Sequence, residues 1–185
     1  MNIFTLILVL WPLSEIVLNI MNRSKMPDAK QADKKSLGII WSTIIVAITV
    51  AVFVAIYKNV PILETNLLKY IGMVLVVAGV IVRLVAIRTL GKFFTVNLAI
   101  DTEHRLIEAG LYNYIRHPSY TGSLLSFLGL GLYFNNWICL FVIMIPVSSA
   151  FIYRIYTEEK LLLCQPGLKY DEYMQNTKRL IPFIY

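Results

Sequence analysis

The chain has 185 residues, 58% of them hydrophobic and 15% charged, and 17 basic against 11 acidic groups leave it at +6. The apolar residues come in long blocks rather than the short stripes of a soluble core, which excludes an ordinary soluble domain and marks an integral membrane protein. Topology and anionic lipid account for the positive excess, so nothing calls for nucleic acid.

A bilayer core about 30 Å thick takes about 20 helical residues. The chain supplies apolar blocks at 3–21, 37–57, 67–88, 119–134 and 137–156. The expectation is an all-α protein with five transmembrane helices in a single domain, 1–185, without repeats or a second soluble domain. The first block has no basic region ahead of it and no small-residue cleavage site, and it contains Glu15, which predicts a retained span rather than a signal peptide. The connection after it carries Arg23, Lys25, Lys30, Lys34 and Lys35 against Asp28 and Asp33, while residues 1–22 hold no Lys or Arg. The positive-inside rule puts that connection in the cytoplasm and the N-terminus outside. Residues 91–118 and the tail from Thr157 then fall on the cytoplasmic side, and residues 58–66 and Asn135-Asn136 form short outward turns.

The third block contains Arg83 and Arg88. Arg88 can snorkel to the surface, but an unpaired Arg83 deeper in the bilayer would cost about 3 kcal/mol, so it should face the bundle or a polar cavity. In the connection that follows, Asn97, Asp101, His104, Arg105, Gly110, Tyr112 and Tyr114 alternate with Phe93, Phe94, Val96, Leu106, Ile107 and Leu111. Such a segment should fold back onto the bundle, with Gly110 as a corner, the alternative being a plain amphipathic interfacial helix.

The heptapeptide Arg116-His117-Pro118-Ser119-Tyr120-Thr121-Gly122 sets a guanidinium, an imidazole and a phenol at the mouth of an apolar helix. Pro118 lacks an N–H and has its φ preset, so the helix should start at or just after His117. A polar site and a headgroup anchor are the two readings open to these residues. Ser119, Gly122, Ser126 and Gly129 recur at helical spacing, the pattern of a close helix contact. Spans four and five, separated by Asn135-Asn136, should form a tight antiparallel hairpin. Arg154 and Glu158 fall on one helix face if the fifth span continues through Tyr156, either as an interfacial ion pair or as part of a site. The adjacent carboxylates of Glu158 and Glu159 need cations, of which Arg154 can supply one and a cationic ligand another. Cys139 and Cys164 have no metal-like spacing, so neither a metal site nor a disulfide framework is expected.

Gly110-Leu111-Tyr112, the heptapeptide, Arg154, Glu158-Glu159, and then Gly167, Tyr170, Tyr173, Arg179 and Pro182 resemble, in order and spacing, the isoprenylcysteine carboxyl methyltransferase family. The resemblance covers roughly residues 91–183. Gln165-Pro166-Gly167 departs from the family's usual aromatic before the glycine, and the first two spans carry no motif.

The resemblance implies a membrane enzyme that uses S-adenosylmethionine without a Rossmann domain, and this sequence has no glycine-rich strand-to-helix turn that would suggest one. It implies a cytoplasm-facing cofactor pocket built by the segment before span four, spans four and five, and the C-terminal tail. The matching cofactor positions are Asn97, His104, Arg105, Leu106, Ile107, Tyr112, His117, Pro118, Ser119, Tyr120 and Glu158. Arg154 matches the arginine that holds the acceptor carboxylate, so Arg154 and Glu158 are the expected catalytic pair. The expected reaction is O-methylation of a lipophilic acceptor's carboxylate, with a prenylcysteine, a small isoprenoid or a fatty-acyl acid as acceptor. Phospholipid N-methylation is the nearest rival, and a non-enzymatic membrane binding subunit comes from a different class. The expected location is the cytoplasmic membrane in a prokaryote or the endoplasmic reticulum in a eukaryote.

Overall fold

The computed structural model describes residues 34–91, 106–165, 167, 169–182 and 184–185. The expected span at 3–21 with Glu15, and Asn97, Asp101, His104 and Arg105, lie outside these residues. The described elements are α1 (Lys34–Tyr57), α2 (Leu67–Leu90), a 3-10 turn (Gly110–Asn113), α3 (Pro118–Tyr133), α4 (Trp137–Leu163) and α5 (Tyr170–Asn176). α1, α2 and α4 are long and apolar enough to cross a membrane. α3 has 16 residues, a rise of about 24 Å, and is the short member the sequence predicts.

The packing seams run α1 to α4, α4 to α3 and α3 to α2. α4 therefore separates α1 from the α2–α3 pair, although α1 and α2 are consecutive in the chain. α2 and α3 lie antiparallel with their backbones almost touching. A Cβ added to Gly72 would sit 2.5 Å from the Gly129 carbonyl oxygen, and one added to Gly122 would sit 2.6 Å from that of Gly79. Between those two contacts Ser126 Oγ donates to the Val76 carbonyl at 3.2 Å. Small residues gain dispersion contacts there that lipid tails cannot supply. An apolar core of Ile40, Ala47, Ala51, Phe127, Ile143, Val147 and Phe151 fills the rest of the bundle.

One end of the bundle is closed by the two asparagines. Asn136 caps α4, accepting from the amides of Ile138 and Cys139, and donates to the Lys58 carbonyl at 2.6 Å. Asn135, at φ 46°, bonds Leu63 through both its carbonyl oxygen (3.1 Å) and its amide nitrogen (2.7 Å). These contacts draw the 58–66 connection across the α3–α4 turn.

The helix that carries the fifth apolar block runs beyond it. α4 continues to Leu163, well past the expected end at 156, because residues 157–163 include strong helix formers and hold neither Gly nor Pro. In the tail, α5 forms after Gly167 takes a left-handed φ of 83° and packs Tyr170 and Tyr173 against Leu106 and Leu162.

Candidate active site at one end of the bundle

The chemistry-bearing residues gather at the end opposite the asparagine pair, where α1 begins, α2 ends, α3 begins and α4 ends. α3 starts at Pro118 with His117 as its N-cap, as the proline requires. The following side chains turn in different directions. Ser119 faces α2, where it accepts from Arg83 Nη1 at 2.9 Å, and Ser123 accepts from the same nitrogen at 2.9 Å. Arg83 thus faces into the bundle. Tyr120 faces α4, its ring edge-on to Phe151 at 5.4 Å and stacked with His117 at 5.5 Å.

Glu158 and Glu159 are neighbours in sequence with separate partners. Glu159, 2% exposed, accepts from Arg116 Nε and Arg179 Nε, each at 2.9 Å, and stands 3.4 Å from His117 Nε2. Three cationic or protonatable groups thus surround one buried carboxylate, the arrangement that makes its burial tolerable. Glu158 accepts from the Tyr120 hydroxyl at 2.7 Å, lies 3.9 Å from His117 Nδ1 and keeps 24% of its side chain exposed.

Arg154 is 2% exposed. Its Nε lies 3.5 Å from the Tyr120 oxygen, and its Nη1 donates to Ser36 Oγ at 2.5 Å. The helical spacing of Arg154 and Glu158 suggested a direct pair. Instead the Tyr120 phenol joins them, and the cations that meet the carboxylate pair are Arg116 and Arg179, both on Glu159.

The C-terminal tail completes this end. Ile115 and Lys178 form an isolated parallel bridge, and the amides of Arg116 and His117 donate to the carbonyls of Lys178 (2.7 Å) and Arg179 (3.0 Å). Arg116 Nη1 also donates to the carbonyls of Met174 and Thr177. The Arg179 guanidinium lies over the Tyr156 ring, 4.6 Å from its centroid. With its side chain 7% exposed, Arg116 directs its Nε and Nη1 to protein acceptors. Tyr112 is buried beside the group, and its carbonyl accepts from the Tyr173 hydroxyl at 2.6 Å. Burial, reinforced by the charge of Glu158, pushes the Tyr112 phenol well above its ordinary value, so it is a neutral donor at any physiological pH.

Of the residues expected from sequence, Tyr112, His117, Tyr120, Arg154 and Glu158 come together. Leu106 packs under the tail, Ile107 is half-buried, Pro118 starts α3, and Ser119 is turned to the α2 side. Sequence reasoning missed Ser36, one small hydroxyl between the basic connection and the second apolar block with no motif around it. It also gave no role to Arg179, whose place at the far end of the chain conceals its contact with Glu159.

The profile of the "Isoprenylcysteine carboxyl methyltransferase (ICMT) family" matches residues 70–164. A probable protein-S-isoprenylcysteine O-methyltransferase of Oryza sativa subsp. indica is 32% identical over 118 residues, covering 63% of this chain and 62% of the relative. The protein-S-isoprenylcysteine O-methyltransferase of Saccharomyces cerevisiae is 33% identical over 124 residues, covering 66% of this chain and 52% of the relative. The chain thus spans less than two thirds of the length of these curated relatives. The solved structure of a eukaryotic intramembrane Ras methyltransferase, isoprenylcysteine carboxyl methyltransferase, superposes with a TM-score of 0.64 at 28% identity, over 78% of this chain and 52% of that one.

Proposed function

This chain belongs to the isoprenylcysteine carboxyl methyltransferase family, and on that premise we propose that it moves a methyl group from S-adenosylmethionine to the carboxylate of a lipophilic acceptor, a C-terminal S-isoprenylcysteine. The observation that carries this reading is the buried Arg154 guanidinium meeting Glu158 through the Tyr120 phenol. A cation suited to an anionic acceptor and a carboxylate suited to a cationic donor are held apart by one hydroxyl.

The side chains fit the cofactor. Glu158 is partly exposed and can neutralise an ammonium or sulfonium, and the faces of Tyr112 and Tyr120 can line an adenosine or a cation. Leu106, Ile107, His117, Pro118 and Ser119 are carried over from the family pattern, as are Asn97, His104 and Arg105. When bound, the cofactor supplies an electrophilic methyl group on sulfur. An acceptor carboxylate is already ionised at neutral pH, so this chain's task is to orient and desolvate it rather than to remove a proton. Arg154 does this with a planar fork that matches the carboxylate. A buried cation at this position disfavours the amine acceptor of a phospholipid N-methyltransferase.

The acceptor's apolar tail approaches from the bilayer. A groove of 640 Å³ along the α1–α4 seam, walled by Thr43, Ala47, Val50, Phe141, Val142 and Ile145, supports that route, because the same two helices carry Ser36 and Arg154. The site end faces the cytoplasm in this reading, at a cytoplasmic or endoplasmic reticulum membrane, where the soluble methyl donor is available.

The test supplies membranes containing the protein with methyl-labelled S-adenosylmethionine and an S-farnesylated cysteine analogue. Base-labile methyl ester on the analogue is the expected product. Label in phospholipid headgroups overturns the reading in favour of N-methylation, and cofactor binding without turnover of any lipid overturns it in favour of a binding subunit.

A further inference from the structure

Ser36 lies outside the residues that the family profile matches, in the first turns of α1, and is 0% exposed. Its hydroxyl takes a hydrogen bond from Arg154 Nη1 at 2.5 Å across the α1–α4 seam. Nη1 is the guanidinium corner remote from the fork formed by Nε and Nη2. A hydrogen bond at that corner stops rotation about Cδ–Nε while using a different edge from the fork. Tyr120, 3.5 Å from Nε, lies along the fork's own edge, the place an acceptor carboxylate would take.

We propose that Ser36 is a positioning residue for methyl transfer, fixing the plane of the Arg154 guanidinium so that its fork meets the acceptor carboxylate in one orientation. This rests on the reading of Arg154 as the acceptor's partner. It gives α1 a part in acceptor recognition, although the sequence of α1 has no motif. The bond is charge-assisted and both side chains are buried, a setting in which such bonds are strong.

The full-length protein in lipid nanodiscs supplies the test, with three readouts. These are calorimetric affinity for S-adenosylhomocysteine, affinity for an S-farnesylcysteine analogue without cofactor, and steady-state KM and kcat. In Ser36→Ala, analogue affinity should fall about tenfold and KM rise in step, with S-adenosylhomocysteine affinity unchanged as evidence that the fold and cofactor pocket are intact. Ser36→Thr, which keeps the hydroxyl, should restore most of the loss, and Ser36→Cys, similar in size but a weak acceptor, should not. Unchanged analogue affinity in Ser36→Ala, or equal loss in Ser36→Thr, overturns the proposal. A parallel fall in cofactor affinity overturns it too, because Ser36 would then be a packing residue. Arg154→Lys is the control that separates the two readings. If it impairs the analogue while Ser36→Ala does not, only the Ser36 inference fails; if it binds the analogue normally, the Arg154 reading fails and the Ser36 role falls with it.

Discussion

Arg154 and Glu158 stand one turn apart on α4, and the proposed division of labour makes them fail differently. Arg154→Lys should leave S-adenosylhomocysteine affinity intact while kcat/KM falls about a hundredfold, about 3 kcal/mol of transition-state stabilisation, because an ammonium cannot reproduce a bidentate fork. Glu158→Gln should instead weaken S-adenosylhomocysteine by about tenfold, measured by calorimetry. Tyr120→Phe removes the hydroxyl that joins them, so it should impair both steps by several-fold, about 1 kcal/mol each. Equal loss of cofactor affinity in all three variants would mean that the residues form one structural cluster. The pair was legible in the sequence because residues four apart share a helix face. Tyr120 as the link was not, because it depends on how α3 turns against α4. The partition of Glu158 from Glu159 was hidden for a similar reason: adjacent residues differ by about 100° around a helix, and only the tail's return shows which one meets Arg116 and Arg179.

The α2–α3 seam predicts an asymmetry among glycines. Gly72→Ala would set a Cβ 2.5 Å from the Gly129 carbonyl oxygen and 2.8 Å from the Tyr133 nitrogen, whereas Gly38→Ala on α1 meets open space. The first substitution should lower folded yield and unfolding temperature in detergent, and the second should leave both unchanged. The tail clasp makes a second contrast. Arg116→Met strips a nearly buried partner from buried Glu159 and should destabilise by about 3 kcal/mol, speeding tryptic cleavage at the already exposed Lys169 and Lys178 by loosening the backbone that carries them. Arg179→Ala should loosen the tail less, since its side chain is 22% exposed. Small residues at helical spacing on span four announced the seam, but half of it, Gly72 and Gly79 on α2, passed without notice among apolar neighbours. The start of α3 was legible because proline dictates it. α5 was not, because the residues that follow it, Lys178 and Arg179, anchor the tail by pairing with Ile115, Arg116 and His117 about sixty residues earlier.

All the described site residues lie at one end of the bundle, so a single topology assignment decides whether they reach a soluble methyl donor. Cys164 is exposed just beyond α4 while Cys139 is buried. A membrane-impermeant maleimide should therefore label Cys164 only after cells are permeabilised, and Glu64→Cys, exposed in the opposite connection, should react in intact cells. The reverse pattern would place the site outside and remove the proposed cofactor supply. The position of α4 between α1 and the α2–α3 pair also sets an order on biogenesis. The ribosome delivers α1 and α2 in succession, yet among the described helices the first to give α2 a seam is α3, and the main described partner of α1 is complete only when residues 137–163 emerge. The glycine seam can therefore close before the α1–α4 seam does. Because Ser36 and Arg154 meet across that late-forming seam, a nascent chain halted after Tyr133 holds the heptapeptide but cannot assemble the acceptor end of the site, so competence for the reaction is delayed until the last long helix described is in place.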